Sequence, residues 1–172
     1  MKRVAILMAV LALAAACDDD SPTQPSNTGP IVFTSQLSAA NEVPPVTNAE
    51  STARGTTTIT FNVPRDSNGA ITGGGTVTFG IQLTGFPSTS PAVVAAHIHP
   101  GVTGANGSPL IDTRLSAAAP LVLTNGAATV SITVDISQDN ATNIAAAPAS
   151  YYFNVHTPLN GAGAARGQLV RQ

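Results

Sequence analysis

The chain has 172 residues, which allows one domain once its leading segment is set aside. Only 9% of its residues are charged, and its single cysteine, Cys17, excludes an intrachain disulfide. From residue 17 onward there is no lysine, and five arginines stand against nine Asp and Glu, a net charge of −4 that argues against a nucleic-acid partner.

The first residues read as an export signal. Lys2 and Arg3 precede an apolar run from Val4 to Leu13, too short to span a bilayer as a permanent helix. The small residues Ala14, Ala15 and Ala16 then lead to Cys17. This junction resembles the lipobox of bacterial lipoproteins, with Ala14 where leucine is commonest. The resemblance implies a signal peptide over residues 1–16, cleavage before Cys17 and lipidation of its thiol. The protein would then be extracytoplasmic, attached to a bacterial membrane in the periplasm or at the cell surface through a lipid anchor. Ordinary cleavage near the same place, leaving a soluble secreted chain with a free thiol, is the other reading. Residues 17–30, "CDDDSPTQPSNTGP", have almost no apolar side chains to bury and are expected to form a disordered tether.

Beyond the tether, apolar residues alternate with hydroxylated ones. In 56–63 Thr57, Ile59, Phe61 and Val63 share one parity. In 76–86 Val77, Phe79, Ile81 and Leu83 do, and in 127–136 Ala128, Val130, Ile132, Val134 and Ile136 do. Successive strand side chains point to opposite faces, so each segment reads as a strand with one apolar and one wet face. Further strands are expected near 31–37, 92–99, 109–115, 120–124, 150–157 and 165–170, with turns at "DSNGA" (66–70), "GGG" (73–75) and "TNGA" (124–127). One short helix is expected near 138–147, capped by Ser137 and stopped before Pro148. The fold class is all-β, a single antiparallel β-sandwich or barrel.

Three segments, "LSAANEVPPV" (37–46), "AAHIHPGVTGANGSPLIDT" (95–113) and "YYFNVHTPLNGAGAARGQL" (151–169), together resemble the CHRD domain. The resemblance covers about 31–171 and implies one immunoglobulin-like, all-β domain over 31–172 with no settled biochemical activity. The chain departs from the family near its end, where Ala164 and Ala165 precede Arg166 in place of a glutamate–isoleucine pair, so no role for that glutamate carries over. Physically, Pro44 and Pro45 should make a rigid turn after the first strand. Two prolines and three glycines in 100–109 read as a sharply turning loop; a phosphate cradle lacks its lysine.

The three histidines carry the sharpest hypothesis. His97 and His99 share a strand face opposite Ile98, and His156 shares a face with Tyr152 and Asn154, opposite Tyr151, Phe153 and Val155. If the two strands are neighbours, three imidazoles meet, which is the commonest donor type for copper or zinc. The pattern is also similar to the copper half of copper–zinc superoxide dismutase, which would imply His97, His99 and His156 as copper ligands, Arg166 as a guiding arginine and redox activity. No bridging histidine, zinc ligand set or disulfide accompanies it. The alternatives are a hydrogen-bonded network with Asn154, Asp112 or loop carbonyls as partners, and a pH sensor. Arg166 is expected to pair with Asp112, and Tyr151 and Tyr152 to pack. Glu42 and Glu50, the only glutamates, form no evident acid–base pair, and no nucleophile elbow is present. The leading expectation is a non-catalytic binding or structural module of the cell envelope, with a protein or other envelope partner the sequence does not name.

Overall fold

Alternation of apolar and hydroxylated residues builds the three longest strands. The computed structural model describes residues 29–172. The signal over 1–16, Cys17 and all but the last two residues of the tether lie outside the described residues. The strands are β1 (Ile31–Ser38), β2 (Arg54–Asn62), β3 (Gly75–Thr84), β4 (Ala92–Val93), β5 (Ala95–Pro100), β6 (Ile111–Asp112), β7 (Leu121–Val122), β8 (Ala128–Ile136), β9 (Tyr151–His156) and β10 (Ala165–Arg171). The segment expected as one strand at 92–99 breaks at Val94. There the backbone N–H donates to the His156 carbonyl, and β4 and β5 enter different sheets.

Eight strands form one antiparallel sheet in the order β6-β5-β9-β10-β1-β2-β3-β8, and β4 pairs with β7 beside it. The large sheet curls into a nearly closed barrel. Phe79 of β3 stacks on Phe153 of β9 with ring centroids 5.4 Å apart, although three strands separate them in the sheet. The apolar parity seen in the sequence fills the interior: Phe33, Ile59, Phe61, Phe79, Ile81, Ile98, Phe153 and Val155 are fully buried. Fully burying side chains of this size contributes about 1.5–3 kcal/mol each. The helix α1 (Gln138–Ala146) is where the sequence placed it. Ser137 caps it by accepting from the Asn140 N–H, and Ala141 and Ile144 seal one part of the core.

The outer parity divides into two regions. On β2, β3 and β8 it is hydroxyl-rich and open, with Thr56, Thr58, Thr129, Ser131 and Thr133 all exposed. On β5, β9 and β10 it is closed, because His99, Tyr152, Asn154, His156 and Arg166 are buried. Three connections roof them: 39–53 between β1 and β2, 101–110 between β5 and β6, and 157–164 between β9 and β10. A buried carboxylate pins this roof. Glu50 accepts from Ser90 Oγ, Thr157 Oγ1 and Asn160 Nδ2, each at 2.6 Å. Three donors satisfy its two oxygens, which is how a carboxyl group with 1% exposure is tolerated.

Candidate metal centre

Strand register brings the candidate residues together. Asp112 of β6 pairs with His97 of β5, His97 with Asn154 of β9, and Asn154 with Arg166 of β10, so all four lie on one rung and one face. His99, Tyr152 and Gln168 form the neighbouring rung. His156 lies two residues from Asn154, on the same face, diagonal to His97. The three histidines meet: one nitrogen from each ring lies within 4.8 Å of the other two.

Each ring is held from behind. His99 Nδ1 lies 2.8 Å from the Gly107 carbonyl and His156 Nδ1 lies 3.1 Å from the Gly161 carbonyl. A carbonyl only accepts, so both Nδ1 atoms carry the proton and both Nε2 atoms present a lone pair. His97 Nε2 lies 3.7 Å from Asp112 Oδ1. Its Nδ1 lies 3.1 Å from His156 Nε2, which the Asn154 side-chain amide meets at 3.0 Å, so a lone pair on that nitrogen calls for the NH2 end of the amide. His99 Nε2 is buried and has no hydrogen-bond partner among the described residues. Leaving a buried acceptor unpaired costs about 1–3 kcal/mol, so this atom asks for a partner.

Electrostatics keep the rings neutral. Burial lowers His156 to about 4, against the pull of the Gly161 carbonyl, and His97 and His99 push it the same way as burial. Burial also lowers His97, opposed by Asp112, and lowers His99, opposed by the Gly107 carbonyl and by the nearby Asn154 side chain, which makes no hydrogen bond of full geometry with His99 Nε2. Neutral imidazoles are the form that ligates.

Arg166 does not pair with Asp112. Its nearest carboxylate is Glu42, with Nε to Oε2 at 3.9 Å, and the physical reason is register: Asn154 and the histidines of β5 and β9 lie between Arg166 and the β6 edge. Nor does it stand where a guiding arginine would. It is 2% exposed, donates from Nε to the Asn41 carbonyl and from Nη1 to Ala105 O and Asn106 Oδ1, and packs 4.5 Å over the Tyr152 ring. Tyr152 in turn stacks parallel on His99 at 4.9 Å. Asn106 Nδ2 donates to the Val43 carbonyl, so Arg166 and Asn106 tie all three sequence segments into one assembly. Glu42, passed over in the sequence, is buried against Arg166. Burial raises it to about 7, and Arg166 and a hydrogen bond with Asn154 only partly offset this. A signal was present: it is one of two glutamates in a chain poor in charge, set directly before a rigid Pro-Pro turn. A cleft of about 550 Å³ opens beside Glu42 and Arg166, floored by Gln36 and Gln168, and none of the three histidines lines it.

The family described as the CHRD domain matches over residues 33–169, a range that contains all three segments. No curated protein and no solved structure matches the chain.

Proposed function

The chain belongs to the CHRD domain family, and from that premise we propose that it is a non-catalytic binding module of the bacterial envelope whose three-histidine site holds a copper or zinc ion. Family membership supports a binding or structural module in general. The metal reading rests on one observation: three imidazole nitrogens within 4.8 Å of one another, two of them with Nδ1 fixed by a backbone carbonyl so that Nε2 is free to ligate. Outer partners of this kind orient metal-ligating histidines and set their tautomer. A purely structural network would account for most of the contacts. It leaves His99 Nε2 buried and unpaired, and a metal ion satisfies that atom. Three neutral nitrogens with no thiolate suit Cu²⁺ and Zn²⁺, with Cu²⁺ the tighter by the usual order of divalent affinities. Lipidation at Cys17, followed by a tether without apolar residues, would display the site a short reach from a membrane.

The test is calorimetric titration of the full chain in detergent with Cu²⁺ and with Zn²⁺. The expected result is one ion per chain, lost in His97→Ala and in the triple His97→Ala, His99→Ala, His156→Ala variant. Equal uptake by the wild type and the triple variant would overturn the proposal.

A further inference from the structure

Two of the three rings have their outer nitrogen on a backbone carbonyl. The third, His97, has a carboxylate instead, and it is turned the other way round. Its Nε2 points to Asp112 and its Nδ1 points to His156. At 3.7 Å the Asp112 contact is Coulombic, too long for a hydrogen bond, but a negative charge there favours the proton on Nε2 over the proton on Nδ1. His156 Nε2, 3.1 Å from His97 Nδ1, carries a lone pair because its own Nδ1 donates to Gly161. Two facing lone pairs at that distance repel unless a cation sits between them. In the metal-free chain that cation is a proton on His97 Nδ1; in the loaded chain it is the metal.

We propose that Asp112 is a positioning residue that makes His97 ligate through Nδ1 while His99 and His156 ligate through Nε2. This rests on the metal reading above and specifies it: one Nδ1 and two Nε2 donors, with the odd ring selected by a side chain rather than by the backbone. Asp112 suits the role because it sits on the two-residue edge strand β6 with 60% of its side chain exposed, so its charge can be altered without opening the core. Its Oδ1 also accepts from the Arg114 N–H at 2.7 Å. Asp112→Asn keeps an oxygen for that turn and removes only the charge.

Two measurements on the full chain test this. The first uses the chain loaded with Zn²⁺. Its long-range proton–nitrogen correlation spectra should show His99 and His156 with the proton on Nδ1 and His97 with its proton on Nε2; Asp112→Asn should move the His97 proton alone toward Nδ1. The second is Cu²⁺ affinity, which should fall about 10- to 100-fold in Asp112→Asn, the size expected for an outer-shell partner. It should vanish when His97 is replaced by Nδ1-methylhistidine, which blocks that nitrogen and leaves Nε2 free. Copper binding that survives the methylated ring, or an unchanged His97 tautomer in Asp112→Asn, overturns this inference and leaves the metal reading standing. Absence of metal binding in the wild type overturns the metal reading and this inference with it.

Discussion

Thr58 and His97 occupy equivalent places in the alternation. Each sits on an outer-parity position of a strand whose other parity is core, with Ile59 beside one and Ile98 beside the other, both fully buried. Thr58 faces solvent, whereas His97 is half-buried in a region whose neighbours are buried outright. The difference comes from the connections. Those of β2, β3 and β8 leave their outer face open, and the three long loops after β1, β5 and β9 fold over theirs. Period-two patterning therefore decides which side of a sheet a residue takes, and loop architecture decides whether that side is wet. The roofed face can hold imidazoles neutral, a carboxyl near neutrality and an arginine without water; the open face can do none of these.

The largest expected contrast is Arg166→Ala against Thr58→Ala. Removing the guanidinium leaves Glu42 buried without its counter-charge and unpairs the Asn41 and Ala105 carbonyls. Breaking a buried pair from one side costs about 3–5 kcal/mol, whereas an exposed threonine should change stability by less than about 0.5 kcal/mol. Urea denaturation measures both. Similar midpoints for the two variants would mean that the roof does not hold the face shut.

Next comes the response to acid. His156 titrates at about 4 in the fold against an ordinary 6.5. An unfolded chain binds its proton first, so His156 destabilises the fold as pH drops from 6.5 toward 4. Glu42 titrates at about 7 against an ordinary 4.5, so the fold takes that proton first and gains stability as pH falls from 7 toward 4.5. At roughly 1.4 kcal/mol per pH unit of difference, each effect is about 3 kcal/mol in size, and the two oppose one another between about pH 4.5 and 6.5. His97 and His99, both lowered, act with His156; Arg166 and Asn154 face Glu42. Glu42→Gln removes the opposing slope. Its melting temperature should fall more steeply than that of the wild type between pH 6.5 and 4.5. Parallel curves would show that Glu42 does not titrate in that window.

A smaller effect separates two glycines. A Cβ at Gly107 would lie 1.8 Å from the Pro100 carbonyl oxygen, so Gly107→Ala must displace the loop whose carbonyl holds His99. Strain of this kind costs about 1–3 kcal/mol. It should also weaken copper uptake, and calorimetry of the variant checks both. A stability loss with unchanged uptake would uncouple the loop from the histidines.

The sequence made the fold legible because apolar parity is a strong signal where strands are long. The segments of β2, β3 and β8 were placed to within two residues, and Ser137 marked the helix start. The meeting of His97, His99 and His156 was legible too, since H-x-H and Y-x-N-x-H each put histidines on one parity and adjacency of β5 and β9 was the only added condition. What stayed hidden depended on long-range closure. Glu50 is joined to Ser90, Thr157 and Asn160 by folding of three separate loops, and no local pattern announces such a node. Glu42 was missed for the same reason. It gains its role only when the first and last loops close over the same rungs, and Arg166 was assigned to Asp112 because both were charged, without the register that keeps them apart.

The smallest prediction concerns the open face. Gly80 stands among hydroxyls in the middle of β3, paired with Thr58 on one side and Ser131 on the other. A Cβ built there meets nothing closer than the Thr58 carbonyl oxygen at 3.8 Å, an ordinary contact. Its backbone is regular strand, so glycine contributes nothing there that alanine lacks and leaves the unfolded chain freer. Gly80→Ala should therefore raise stability by about 0.5–1 kcal/mol, a substitution opposite in sign to Gly107→Ala although both only add a methyl group. A lower unfolding midpoint for Gly80→Ala would show that something packs closely over this face too, and the division between an open and a roofed side would have to be redrawn.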